Sequence, residues 1–224
     1  MSEIIESKGW DWQIVTDEYA EIWKNPSIIS YYLLNRWKTK NKKHFMDLGC
    51  GLGRHTILFA KNNFKVSAID ISENAVERAK KWATEEQLKV DFMVGDMLNL
   101  PYENTTFDCI FCRNVMSHTN TAGIKKIISE IKRILKTDGE CYLTLSSKNT
   151  WGFQQDWPKV DENTKLLMKE GPEYKVPHFY ADYDLIKKLF ADFKIEFIYH
   201  IADYYEAEGK TYESWHYHIL IKKI

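Results

Sequence analysis

His44-Phe45-Met46-Asp47-Leu48-Gly49-Cys50-Gly51-Leu52-Gly53-Arg54-His55-Thr56 decides how the rest of the chain is read. Phe45 to Leu48 is a short apolar run, as a buried parallel strand requires. Three glycines at alternate positions then turn the chain, and Thr56-Ile57-Leu58-Phe59-Ala60 resumes with helical character. Strand, glycine turn and helix open a nucleotide-binding α/β domain. Glycine admits φ > 0 and lets a ligand lie against main-chain N–H groups. The helix N-terminus that follows offers unpaired donors and partial positive charge to an anionic group. The spacing is G-x-G-x-G, not the G-x-G-x-x-G of dinucleotide enzymes.

With 224 residues the chain is long enough for one large α/β domain with a good core. Lys plus Arg is 31 and Asp plus Glu is 32, so nothing steers the protein to a polyanion and no nucleic-acid partner is expected. No apolar run reaches the roughly 18 residues of a membrane span, and Met1-Ser2-Glu3-Ile4-Ile5-Glu6 lacks a signal-peptide pattern. Cys50, Cys109, Cys112 and Cys141 read as small buried residues of a reduced protein, which points to the cytoplasm.

Elements follow from periodicity. A helix starts at Asn25-Pro26-Ser27 and carries Ile28, Ile29, Tyr32, Leu33, Arg36 and Trp37 at helical spacing. Lys65 to Asp70 is a second parallel strand, ending in an acid placed to accept from both ribose hydroxyls of a nucleoside. Ser72 caps a helix with Ala75, Val76, Ala79 and Trp82 on its inner stripe. Val90–Val94 is a third strand and Thr106–Cys112 a fourth. Ile124, Ile127, Ile128, Ile131, Ile134 and Leu135 mark a helix that stops at Asp138-Gly139, before a fifth strand over Glu140–Ser146. Periodicity fades between Ser147 and Tyr180, and a thirty-residue irregular insertion in a compact domain is usually functional or mobile. A helix from Asp182 to Phe190 and two strands, Lys194–Ala202 and Tyr212–Lys222, close the chain. The whole reads as a single domain over residues 1–224, with an N-terminal helical extension or lid (1–40) and a substrate-side insertion (147–180).

The string Asp47-Leu48-Gly49-Cys50-Gly51-Leu52-Gly53-Arg54 resembles the first motif of class I S-adenosylmethionine-dependent methyltransferases. The resemblance covers roughly residues 40 to 146 with four motifs in order, and the final hairpin extends it to the end. It implies a doubly wound seven-stranded sheet in the order 3-2-1-4-5-7-6, last strand antiparallel, and S-adenosylmethionine as cofactor. Gly49 and Gly51 then pass their backbone beneath the cofactor's methionine part, with Asp47 and Cys50 beside them. Asp70 and Ile71 meet the ribose, while Asp96 and Met97 flank the adenine. Arg113 and Asn114 lie where the main chain meets the methionine end. Arg54 either pairs with the methionine carboxylate or is a surface cation. Tyr19 or Trp23 lids the cleft.

For catalysis, His118 and His178 are candidate bases, because imidazole titrates near neutral pH, and Tyr180 orients the acceptor. His118 also borders the cofactor. No metal is expected: Cys109 and Cys112, three apart on a strand, point to opposite faces, and His216 and His218 have no carboxylate pattern beside them. The implied reaction is an in-line methyl transfer to a small-molecule acceptor by a monomer or homodimer. Alternatives are a protein or RNA acceptor, a non-catalytic binder of the same cofactor, and a nicotinamide-dependent oxidoreductase. The G-x-G-x-G spacing and the antiparallel finish oppose the last.

Overall fold

A computed structural model describes residues 4–5, 7–16, 20–207 and 209–224. Tyr19 lies outside them. After helix α1 (Ile28–Thr39) the chain alternates strand and helix: β1 (His44–Leu48), α2 (Arg54–Lys61), β2 (Lys65–Asp70), α3 (Glu73–Glu85), β3 (Val90–Val94), β4 (Phe107–Cys112), α4 (Thr121–Ile134) and β5 (Leu135–Ser147). The long last hairpin is β9 (Phe193–Ala207) and β10 (Lys210–Lys223). β3, β2, β1, β4 and β5 pair in parallel in that order; β10 runs antiparallel to β5, and β9 antiparallel to β10. Taken as seven strands, this is the expected 3-2-1-4-5-7-6 order.

The stretch expected to be irregular departs from that reading. It holds a short helix α5 (Trp151–Gln154) and three strands, β6 (Lys159–Asp161), β7 (Thr164–Leu166) and β8 (Pro177–Ala181), so the sheet has ten strands. β8 joins the tip of β5 through Ser146–Tyr180 and Ser147–Ala181. Strands of three to five residues are too short for alternation to register in sequence. The hairpin strands are also longer than expected. α6 (Tyr183–Leu189) is capped by Asp182, which accepts from Leu185 N.

Alternation along the strands sorts side chains into two cores. Met46, Leu48, Ile110 and Cys112 face the isoleucine stripe of α4 (Ile124, Ile127, Ile131, Ile134). Phe45, Cys109 and Phe111 face Leu33, Trp37 and Phe59 from α1 and α2. Cys109 and Cys112 thus diverge, as expected, and all four cysteines are free and buried. Phe45 and Phe59 stack at 3.8 Å between centroids, and each fully buried ring contributes about 1.5–3 kcal/mol.

A polar anchor ties α1 to the N-terminal end of the sheet. Glu140, fully buried, accepts from Arg36 Nε and Nη2 and from Trp37 Nε1, all at 2.9 Å, and pairs with Lys40. At the opposite edge residues 7–11 lie across the sheet's carboxyl ends: Ser7 bridges Thr119, and Asp11 N donates to the Pro172 carbonyl. No described helix is long and apolar enough to cross a membrane.

Candidate functional site

A cavity of about 580 Å³ opens at the carboxyl ends of β1, β2, β3, β4 and β5. This is the crevice where a doubly wound sheet reverses its strand order, and such sheets bind ligands there. The size suits a nucleoside plus a small second molecule.

Gly49 (φ +76°) and Gly51 (φ +52°) form the floor. Both angles are costly for any side chain. A Cβ on Gly49 would also lie 2.6 Å from Val115, and one on Gly51 would lie 2.9 Å from the Trp12 ring. Gly49 N and Cys50 N both donate to the Ile69 carbonyl, which fixes the turn to β2. Asp70, the last residue of β2 and 8% exposed, accepts from Gly51 N at 2.8 Å through Oδ2 and from Ser72 N at 2.9 Å through Oδ1. Burial raises its pKa, and these donors oppose the rise. Each oxygen keeps a further lone pair.

Two cations share the wall. Arg54 lies 4.9 Å from the Trp23 ring and donates weakly to the Asn25 carbonyl at 3.3 Å. Burial, with Arg113 nearby, lowers its pKa to about 10. Arg113 has its Nε buried without a hydrogen-bond partner. Neither forms an ion pair among the described residues. Asn114 holds φ +56°, its N–H donating to Thr144 Oγ1 at 2.7 Å. Ile71, Asp96 and Met97 complete this half; Asp96 Oδ1 accepts from Leu98 N at 2.9 Å, so it is also a turn residue.

The other half is built by the loop after β4, by β8 and by the segment before it. His118, His178 and Tyr180 all line it. Between the two imidazoles stands Glu173, with Oε1 3.2 Å from His118 Nε2 and 3.6 Å from His178 Nε2. Burial raises the Glu173 pKa, but the two imidazoles beside it outweigh that rise and hold the carboxyl well below its usual range. Tyr180 is pushed above the usual phenol range, chiefly by burial and then by Glu173. His216, from β10, also faces the cavity, and burial pushes it down to about 4.

Of the residues expected at the site, the structure gathers Trp23, Gly49, Cys50, Gly51, Arg54, Asp70, Ile71, Asp96, Met97, Arg113, Asn114, His118, His178 and Tyr180 around this one cavity. Asp47 stands behind the turn instead. It is 2% exposed, accepts from Thr56 Oγ1 at 2.6 Å, and is not in the wall. His216 lines the cavity, and His218 Nδ1 lies 2.6 Å from Tyr142 Oη. Sequence reasoning missed Glu173, and also missed that Trp12 rests on Gly51. Glu173 sits in aperiodic chain, and only its nearness to His178 hinted at it.

Residues 45–139 match the model of the methyltransferase domain family. An uncharacterized protein of Methanocaldococcus jannaschii is 34% identical over 113 residues, which is 50% of this chain and 46% of that one. A demethylmenaquinone methyltransferase of Symbiobacterium thermophilum is 29% identical, over 74% of this chain and 69% of that one. The chain thus spans about half the length of the first curated relatives it matches. Among solved structures, an S-adenosylmethionine-dependent methyltransferase from Methanosarcina mazei superposes with a TM-score of 0.70 at 20% identity, covering 89% of this chain and 99% of that one. Strand order and glycine turn are those of the class I methyltransferase fold. The similarity to the methyltransferase domain family runs through residues 45–139, less than half of this chain.

Proposed function

We propose that this protein transfers the methyl group of S-adenosylmethionine to a small-molecule acceptor, with the cofactor held across the Gly49–Gly53 turn. The observation that carries this reading is Asp70. A buried carboxylate tied to the glycine turn by Gly51 N keeps lone pairs toward a cavity that also presents two arginines with no ion pair among the described residues. Those groups fit the cofactor's parts: acceptors for two ribose hydroxyls, and cations for an α-carboxylate. Asp70 and Ile71 would hold the sugar, Asp96 and Met97 the base, and Arg113 and Arg54 the carboxylate, with Gly49, Cys50, Gly51 and Asn114 in the backbone floor. Trp23 covers Arg54.

When bound, the cofactor supplies a methyl group already activated on a sulfonium. The protein's task is alignment, and well-oriented reactants gain on the order of 7–11 kcal/mol. Tyr180, kept protonated by burial, donates a hydrogen bond that orients the acceptor. His118 and His178 take up the acceptor's proton where it has one to lose. Similarity to a methyltransferase named for demethylmenaquinone supports a small acceptor.

Incubation with S-adenosylmethionine and a panel of phenols, amines and thiols tests the reading. We expect acceptor-dependent release of S-adenosylhomocysteine. Tight binding without turnover across the panel contradicts the catalytic half, and absence of binding contradicts both halves.

A further inference from the structure

We infer that His118, Glu173 and His178 form a binding site for a divalent transition-metal ion at the acceptor end of the cavity. Three separate segments supply the ligands: the loop after β4, the segment between β7 and β8, and β8 itself. One nitrogen from each imidazole and one Glu173 oxygen lie within 4.8 Å of one another.

The orientation of the rings argues for a cation among them. His178 Nδ1 is 3.1 Å from the Val176 carbonyl oxygen. A carbonyl only accepts, so Nδ1 donates there and Nε2 is the nitrogen turned to Glu173. Nε2 lies 3.6 Å from Glu173 Oε1, beyond hydrogen-bond distance and wide enough for an ion that both atoms ligate. A backbone carbonyl that fixes the distal nitrogen is the orientation seen behind metal-binding histidines. His118 Nε2 lies 3.2 Å from the same oxygen on the other side. Its Nδ1 is buried with no hydrogen-bond partner among the described residues, and its ring lies 4.8 Å from that of His178. Two ligands at about 2.0–2.2 Å from a tetrahedral ion stand roughly 3.4 Å apart, between the two observed separations.

Two imidazoles and one carboxylate favour zinc, iron(II), cobalt(II) or manganese(II) over calcium and magnesium, which prefer oxygen. Three protein ligands leave a position open, and here it faces the cavity. If the proposed function holds, an acceptor hydroxyl or thiol takes that position as its anion, its proton having passed to water. With the ion bound the imidazole lone pairs are spent on it, and the ion replaces the direct base role proposed for His118 and His178 in the metal-free site. Binding of the ion itself does not depend on that reading.

Chelator-treated full-length protein is titrated with zinc chloride by calorimetry, and with cobalt(II) by visible absorption. We expect one ion per chain at micromolar affinity or tighter. Glu173→Gln and His178→Ala should each weaken binding at least tenfold without changing S-adenosylhomocysteine affinity, measured on the same samples. That second titration reports folding and the cofactor reading separately. No saturable site, or an affinity unmoved by both substitutions in variants that still bind S-adenosylhomocysteine, overturns the inference. If a variant loses S-adenosylhomocysteine binding as well, His178→Gln replaces it under the same criteria.

Discussion

The backbone N–H of Gly51 donates to Asp70 Oδ2 at 2.8 Å, joining the turn after β1 to the acid that ends β2. Ser72 N holds the other oxygen. The carboxylate therefore serves the turn and the cavity together, and substitutions must separate the two. Asp70→Asn keeps one acceptor oxygen and the shape. It should weaken S-adenosylmethionine binding tenfold or more by calorimetry, since a charge-assisted bond contributes about 1.5–3 kcal/mol. Unchanged affinity in a folded variant would remove Asp70 from the sugar.

The two arginines predict a ligand-dependent split. Methylthioadenosine keeps sugar and base but lacks the amino-acid carboxylate. Arg113→Met should lower affinity for S-adenosylhomocysteine tenfold or more, about 1.4 kcal/mol, and leave methylthioadenosine affinity nearly unchanged. Equal losses for both ligands would mean that Arg113 supports the wall and not the carboxylate. Arg54→Met tests whether the second cation shares the role.

Asp47 predicts a pH effect on stability. Burial raises its pKa to about 6, although Thr56 bonds oppose the rise. The unfolded value is about 3.9. Between these values the folded chain holds more protons than the unfolded one, so Asp47 makes the protein less stable as pH rises through this window. Asp47→Asn removes the effect and still accepts from Thr56. Relative to wild type, the variant should gain stability from pH 4 to pH 6, on the order of 2–3 kcal/mol at the top. Denaturant melts at several pH values measure this; a pH-independent difference would contradict it.

The anchor at the far edge predicts a loss of stability. Glu140→Ala leaves the guanidinium of Arg36 and the indole N–H of Trp37 without their buried partner. Breaking a buried pair this way costs about 3–5 kcal/mol. The melting temperature should fall by several degrees while S-adenosylhomocysteine affinity in the surviving fold stays the same, because the anchor lies at the opposite end of the sheet.

Much of this molecule was legible in sequence because its signals are local. The Phe45–Leu48 run, the glycines and Asp70 sit in one strand–turn–helix–strand unit, and the α4 isoleucines show a plain helical period. The acceptor end was less legible. β6, β7 and β8 are too short to show alternation, and Glu173 reaches the two histidines only because β8 pairs with the tip of β5. The contact of Trp12 with Gly51 joins residues 39 positions apart through a segment that has no periodicity of its own. Asp47 misled for a physical reason. It belongs to the motif string, but its pleat position turns the side chain toward Thr56 and away from the cavity.

The most direct test of the account is a crystal structure of the protein with S-adenosylhomocysteine. The account predicts the nucleoside sugar against the Asp70 carboxylate, the homocysteine chain over Gly49 and Gly51, and its sulfur facing His118, His178 and Tyr180. A ligand bound elsewhere, or one whose sugar leaves Asp70 untouched, would contradict it.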